Sequence, residues 1–265
     1  MSGAGAQSAV DVRRYGPVST ITLSRPERRN AIDARLQAEL VAALEEFDAA
    51  PEARVAVLTG SDPAFCAGMD LRELGSGAMG YGDGQTNYAE AMRAVGKPVI
   101  GAINGPAVAG GFELALACDF LIASERAWFA DCHAEVGIVP GGGLTVHLAQ
   151  AVGVRRARQI SLTGEYVSAE RAFHDGLVTE VVRHERLLPR ATEIAATIAS
   201  RAPHMVKALR DAYDRTLNLP AEGALDAEAA ASRAVGIPTS QVQGLADGLI
   251  AHGSRATNEG QDGLA

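Results

Sequence analysis

Apolar positions along the chain follow two periods that alternate. Residues 17–23, PVSTITL, are rich in β-branched side chains and stop at Pro26, which predicts a strand entering the polar turn SRPERRN. In DARLQAELVAALEEFDAA the apolar Leu36, Leu40, Leu44 and Phe47 recur at helical spacing, predicting a helix with one buried stripe and Asp33 as its cap. RVAVLTG reads as a short strand and KPVIGAING as a buried strand ending in glycine. Between them, SDPAFCAGMDL is a loop feeding a helix at about Met69–Leu74, and the glycine-rich 75–84 reads as a surface loop. DFLIAS and AWFADC are short extended pieces, and GIVPGGG is a turn handing over to a helix from about Leu144. From residue 153 the pattern is mostly helical, through VRRARQISL, SAERAFHDG, ERLLPRATEIAATIA and HMVKALRDAYDR, and the polar tail GSRATNEGQDGLA is expected to fray. The pattern predicts an α/β core over residues 1–200 and a helical region over 201–265.

Composition narrows the function classes. A 265-residue chain with 47% hydrophobic residues can bury a large core. Its net charge of -8, from 24 basic and 32 acidic residues, leaves no overall electrostatic footprint for nucleic acid or an anionic membrane. No apolar run reaches the roughly 20 residues of a membrane helix, and the N-terminus lacks the regions of a signal peptide. Cys66, Cys118 and Cys132 have no CxxC spacing and read as small core residues of a reducing, cytoplasmic compartment. No metal site is visible.

The chemistry concentrates in residues 105–120, GPAVAGGFELALACDF, where a single acid, Glu113, interrupts an apolar helix. A helix beginning near Ala109 offers N–H groups without intrahelical acceptors, and Gly110 and Gly111 carry no Cβ to obstruct a carbonyl oxygen approaching them. Close packing against a neighbouring segment is the alternative reason for those glycines. An isolated buried carboxylate is costly, and desolvation raises its pKa toward the range useful for acid/base chemistry. The alternative for Glu113 is an exposed or salt-bridged position on a narrow polar face of the helix. A second small-residue turn, AFCAGMDL, could supply another backbone donor, and two donors converging on one oxygen make an oxyanion hole.

AFCAGMDL and KPVIGAINGPAVAGGFELALACD, flanked by LSRPERRNAID and VGIVPGGGLTVHLAQAVG in the right order, resemble the crotonase (enoyl-CoA hydratase/isomerase) superfamily over about residues 10–215. The resemblance implies an α/β spiral of ββα units with a C-terminal helical trimerisation region, assembled as a homotrimer or a dimer of trimers. It implies a coenzyme A thioester as substrate and no other cofactor. By position, the N–H groups of Met69 and Gly110 match the family's oxyanion donors. Ala67, Gly68, Asp70 and Leu71 match the turn along the ligand, Gly111 adjoins the donor, and Arg28 is a candidate phosphate contact or an ordinary solvated arginine.

Glu113 matches the first of the hydratases' two catalytic glutamates. For the second, the anchors Phe129 and Pro140 both point to position 133, which is histidine; a two-residue slip along an extended strand would bring in Asp131 or Glu135 instead. The expected activity is hydration of a 2-enoyl-CoA, with His133 in place of the second acid. A double-bond isomerase using Glu113 alone and an acyl-CoA binding protein without efficient catalysis are the alternatives. His133 as a structural residue closing a modified pocket is the other reading of that position. His147, His174, His184, His204 and His252 show no partner spacing. Only Arg255 is basic in the segment where the family often carries a basic stretch, so Lys97, Lys207 or a neighbouring subunit are the alternative phosphate contacts.

Overall fold

The computed structural model describes residues 8–76, 87–217 and 219–235. A hairpin of β1 (Val10–Tyr15) and β2 (Val18–Leu23) leads through a 3-10 turn at Pro26–Arg28 into α1 (Ala34–Ala49) and β3 (Val55–Gly60). Helices α2 (Leu71–Ser76) and α3 (Tyr88–Ala94) precede β4 (Val99–Ile103), β5 (Ala107–Val108) and α4 (Gly110–Leu116). Next come β6 (Phe120–Ser124), β7 (Trp128–Ala130), the single-turn α5 (His133–Val136), α6 (Leu144–Val152) and α7 (Val154–Thr163). Strand β8 (Val167–Ser168), α8 (Ala169–His174), β9 (Glu180–Val182) and α9 (Leu187–Ala199) follow. The chain divides into two units at Pro203; in the second, α10 (Pro203–Thr216) and α11 (Ala221–Val235) are the described helices.

Six strands form one sheet in the order β1-β2-β3-β4-β6-β9, antiparallel at β1/β2 and parallel elsewhere. Strand β3 lies inside the sheet and is buried at every residue, as expected of a parallel strand covered on both faces. Its side chains alternate between the covers. Val55 and Val57 join Ile100, Ala102 and Ile122 against Leu187, Ala191, Ala195 and Ala199 of α9. Ala56 and Leu58 face the cluster holding Leu36, Leu40, Leu44 and Phe47 of α1. β1, at the edge, exposes Arg13 and Arg14, charges that discourage pairing with another chain. A second sheet, β5-β7-β8, pairs β5 with β7 in parallel and carries α4 from its end.

The α1 stripe is buried as its spacing predicts, and Asp33 caps the helix, its Oδ1 accepting from Leu36 N at 2.7 Å. Strands β1, β5, β8 and β9 and helix α3 have no counterpart in the sequence reading, and α11 falls in the expected helical region without having been delimited there. From residue 77 onward the glycine-rich loop reading lies outside the described residues, as do the polar tail, His252 and Arg255; Gly75 and Ser76 belong to α2. The chain is not extended at 133–136, where α5 makes a helical turn.

Candidate active site

The turn at 66–70 is stitched on both sides by backbone hydrogen bonds. On one side Ala67 N donates to Arg29 O, Ile32 N to Gly68 O and Asp70 N to Ile32 O; on the other Cys66 N donates to Pro106 O and Val108 N to Cys66 O. These bonds fix the turn against the start of α4. Asn30, fully buried at φ +55°, holds the outer side: its amide donates to Ser61 O, Ala64 O and Phe65 O, and its Oδ1 accepts from Arg25 N and the Ser61 hydroxyl.

Ala109 enters α4 at φ +46° and ψ -115°, a conformation rare outside glycine, and its N–H is held by Ala130 O. Backbone strain of this kind costs on the order of 1–3 kcal/mol and persists where its surroundings enforce it. The two small-residue segments then meet. A Cβ built on Gly68 would lie 3.3 Å from Gly110 N, and one built on Gly110 would lie 3.5 Å from Met69 N and 3.3 Å from the Tyr88 hydroxyl. Among the described residues, neither the Met69 nor the Gly110 N–H meets an acceptor. Gly111 has a packing reason of its own, because a Cβ there would fall 2.1 Å from Cys66 O.

Glu113, one turn into α4, is 1% exposed. Its Oε1 accepts from Gly142 N at 2.7 Å, while Oε2 lies 3.4 Å from the Tyr88 hydroxyl and 3.8 Å from His133 Nε2. The exposed position is thereby ruled out, since the acid is buried with a backbone donor behind it. His133 is buried too, and its Nδ1 stands 2.6 Å from Asp131 Oδ1, which also accepts the His133 backbone N–H at 3.1 Å. Burial favours the neutral imidazole, but the hydrogen bond and charge of Asp131, with the charge of Glu113, outweigh it and raise the His133 pKa above its ordinary 6.5. Burial likewise favours protonated Asp131, yet hydrogen bonds from His133 and Ser161 lower its pKa below 3.8.

Position 133 therefore does face Glu113, but the two-residue-slip alternative behaves differently from a strand. Because α5 coils the chain, Asp131 is a partner of His133, and Glu135 is turned out to solvent. Tyr88 and Gly142 were missed; neither carries a local signal, since both reach Glu113 from elements distant in sequence. Asp70 is engaged by Arg25 at 3.5 Å and by Arg72 N at 3.2 Å, and Leu71 is 61% exposed beside it. Arg28 is exposed, whereas the half-buried Arg25 bridges Asp33 and Asp70. Lys97 donates to the carbonyls of Phe47 and Ala50 at the end of α1, and Lys207 pairs with Asp211. His184, for which no partner was expected, links the buried Ser124 hydroxyl to Asp62. All three cysteines are free, and burial pushes the Cys66 thiol up to about 12. No cluster of three or more His, Cys, Asp or Glu suited to a metal occurs among the described residues, and no helix there is long and apolar enough to cross a membrane.

Two sheets of this topology, with a glycine-led helix carrying a buried acid against a second small-residue turn, define a crotonase-type fold. The chain belongs to the enoyl-CoA hydratase/isomerase family of that superfamily, whose family model matches residues 13–247. It is 35% identical over 254 residues to a probable enoyl-CoA hydratase 1, peroxisomal, of Arabidopsis thaliana, covering 94% of this chain and 96% of that one. It is 37% identical to a carnitinyl-CoA dehydratase of Salmonella paratyphi A over 81% of this chain and 83% of that protein. The crystal structure of enoyl-CoA hydratase from Mycobacterium tuberculosis H37Rv superposes with a TM-score of 0.72 at 47% identity, covering 84% of this chain and 97% of that one.

Proposed function

We propose that the protein adds water to, or removes it from, the α,β-position of an acyl-CoA thioester, with Glu113 and His133 as the acid/base pair and the Met69 and Gly110 N–H groups holding the thioester oxygen. The observation that carries this reading is the facing of Glu113 Oε2 and His133 Nε2 at 3.8 Å, each group anchored from behind, by Gly142 N–H and by Asp131. Relatives named hydratase and dehydratase point to the same class of reaction.

In the hydration direction the water oxygen bonds to Cβ and one water proton passes to the Glu113 carboxylate. The π electrons move toward the carbonyl, giving an enolate whose oxygen meets two donors already fixed by the surrounding backbone, the arrangement that favours a transition state over a ground state. The protonated His133 ring then gives Cα its proton from Nε2. Transfer of the proton on Glu113 to His133 returns both groups to their starting forms. Residues Ala67, Gly68, Asp70, Leu71 and Gly111 form or adjoin the turn along which the thioester lies, with Arg28 at its outer end. A homotrimer or dimer of trimers is part of the same reading.

Loss of enoyl-thioester absorbance with crotonyl-CoA and longer 2-enoyl-CoA substrates tests it. Turnover is expected to fall by about 10²–10⁴-fold in E113Q, the span general acid/base catalysis contributes. A 3-enoyl thioester converted to its 2-enoyl isomer, with no hydration of any 2-enoyl substrate, would replace this reading with isomerisation. Acyl-CoA binding with no turnover above background, unaltered in E113Q, would leave a binding protein.

A further inference from the structure

We infer that Asp131 is the positioning residue of this site: it holds His133 at Nδ1, so that Nε2 is the ring nitrogen presented to Glu113 and the one that carries the mobile proton. The inference rests on the proposed acid/base pair and deepens it, since it makes the second acid a composite of two side chains.

The geometry is over-determined at the Asp131 end. One carboxylate oxygen takes both the ring Nδ1–H at 2.6 Å and the backbone N–H of His133 at 3.1 Å. The Asp131 side chain is itself 2% exposed, and Ser161 of α7 helps to keep it ionised, so a helix outside its own turn acts on the carboxylate. A ring held at Nδ1 has one nitrogen left, and in this structure that nitrogen is the one 3.8 Å from Glu113 Oε2. Flipping the ring would break the 2.6 Å contact. A positioned carboxylate behind a histidine fixes both its tautomer and its orientation.

Charge follows from the same contacts. A neutral histidine facing Glu113 would offer a weak acid, whereas the imidazolium beside Asp131 forms a pair of no net charge with a proton to give, as a protonated carboxyl group has. The titratable groups acting on the ring are Asp131, from the end of β7, and Glu113, from α4. Cys132 and Glu135 flank it on its own turn, and the Tyr88 hydroxyl stands beyond, on Glu113 Oε2. Both carboxylates that face the ring therefore favour its proton, and the nearer of them does so through a hydrogen bond.

Ring-nitrogen chemical shifts of uniformly ¹⁵N-labelled protein test this without substrate, with His133 identified by the signals lost in H133Q. In the wild type, Nδ1 is expected to keep its proton across the titration, and the ring midpoint is expected to lie above that of an ordinary histidine. D131N should lower the midpoint by about one pH unit or more, as loss of an adjacent opposite charge does, and D131E should recover part of it. D131E, which keeps the charge on a longer arm, gives a smaller shift in the same direction and serves should D131N fail to fold. In the hydratase assay D131N should cost about 10²-fold in kcat, within the span of a lost general acid, and should cost nothing further in an H133Q background.

An unchanged His133 midpoint and tautomer in D131N, or a full additional loss in the double variant, overturns the inference. If the midpoint moves but no enoyl-CoA is hydrated, the positioning role stands and the hydratase reading falls.

Discussion

Gly111 and Gly110 are adjacent glycines with different work, and alanine at each separates packing from chemistry. At position 111 the added Cβ would sit 2.1 Å from Cys66 O and 2.7 Å from two further Cys66 atoms. Ordinary van der Waals contact begins at about 3.4 Å, so α4 and the turn at 66–70 must part by about 1.3 Å. That turn is pinned from both sides by the hydrogen bonds to Ile32 and Val108, so the displacement breaks contacts on at least one side. Overpacking of this severity costs about 3 kcal/mol or more, which lowers Tm by roughly 6–12 °C in a chain of this size.

The same displacement separates Met69 N from Gly110 N, and misplacing reacting groups by about 1 Å costs on the order of 10²-fold in rate. At position 110 the Cβ meets the Tyr88 hydroxyl at 3.3 Å and Met69 at 3.5 Å, contacts that a shift of a few tenths of an ångström absorbs. G110A should therefore stay within about 1 kcal/mol of wild type while its methyl obstructs the thioester oxygen and abolishes most turnover. Calorimetry and the enoyl-CoA assay on both variants supply the measurement. Equal stability of G111A and wild type, or undiminished turnover of G110A, would refute the division of labour.

Two further expectations concern the supporting structure. N30A removes the donors to the buried Ala64 and Phe65 carbonyls and the partners of the half-buried Ser61 O and Arg25 N; with about 1–3 kcal/mol for each unsatisfied buried group, a loss of at least about 2 kcal/mol in urea unfolding is expected, and one below about 1 kcal/mol would show that water replaces the side chain. The Asp131–His133 contact should give stability a pH window. With the His133 pKa raised, its contribution is fully present below pH 6.5 and is lost as pH rises through the folded value; with the Asp131 pKa lowered, its contribution is present above pH 3.8 and is lost as pH falls through its folded value. Unfolding free energies measured across pH should show the upper loss in the wild type and not in H133Q, and an identical profile in the two would exclude the contact as its source.

What could be read from the sequence was local. The α1 stripe and its Asp33 cap depend on neighbours within one or two turns, and an acid set among Phe112, Leu114, Ala115 and Leu116 announces its burial by contrast. Of the polar neighbours of Glu113, His133 was reached through the family resemblance, whereas Tyr88 and Gly142 were hidden because they approach from segments distant in sequence. Asp131 was weighed as a replacement for His133, since extended geometry puts residues two apart on one face; the turn at α5 makes them partners instead. Asn30 sits in a polar turn that reads as surface, yet its αL backbone directs its amide into the crossing of two chain segments. Strands β8 and β9, two and three residues long, are too short to show a period, and long-range pairing defines them.

The bond from Gly142 N–H to Glu113 also bears on how the family site can drift by mutation. A carboxylate held by another side chain is released by one substitution of that partner, but every residue except proline supplies a backbone N–H. The anchor thus survives most changes of identity nearby and is sensitive to shape: a side chain at 142 would begin 3.0 Å from the Glu113 carboxyl carbon, and an insertion between Gly137 and α6 would carry the donor away. Length variation in that turn, more than residue replacement, is the route by which a descendant of this protein would free its acid for a different reaction.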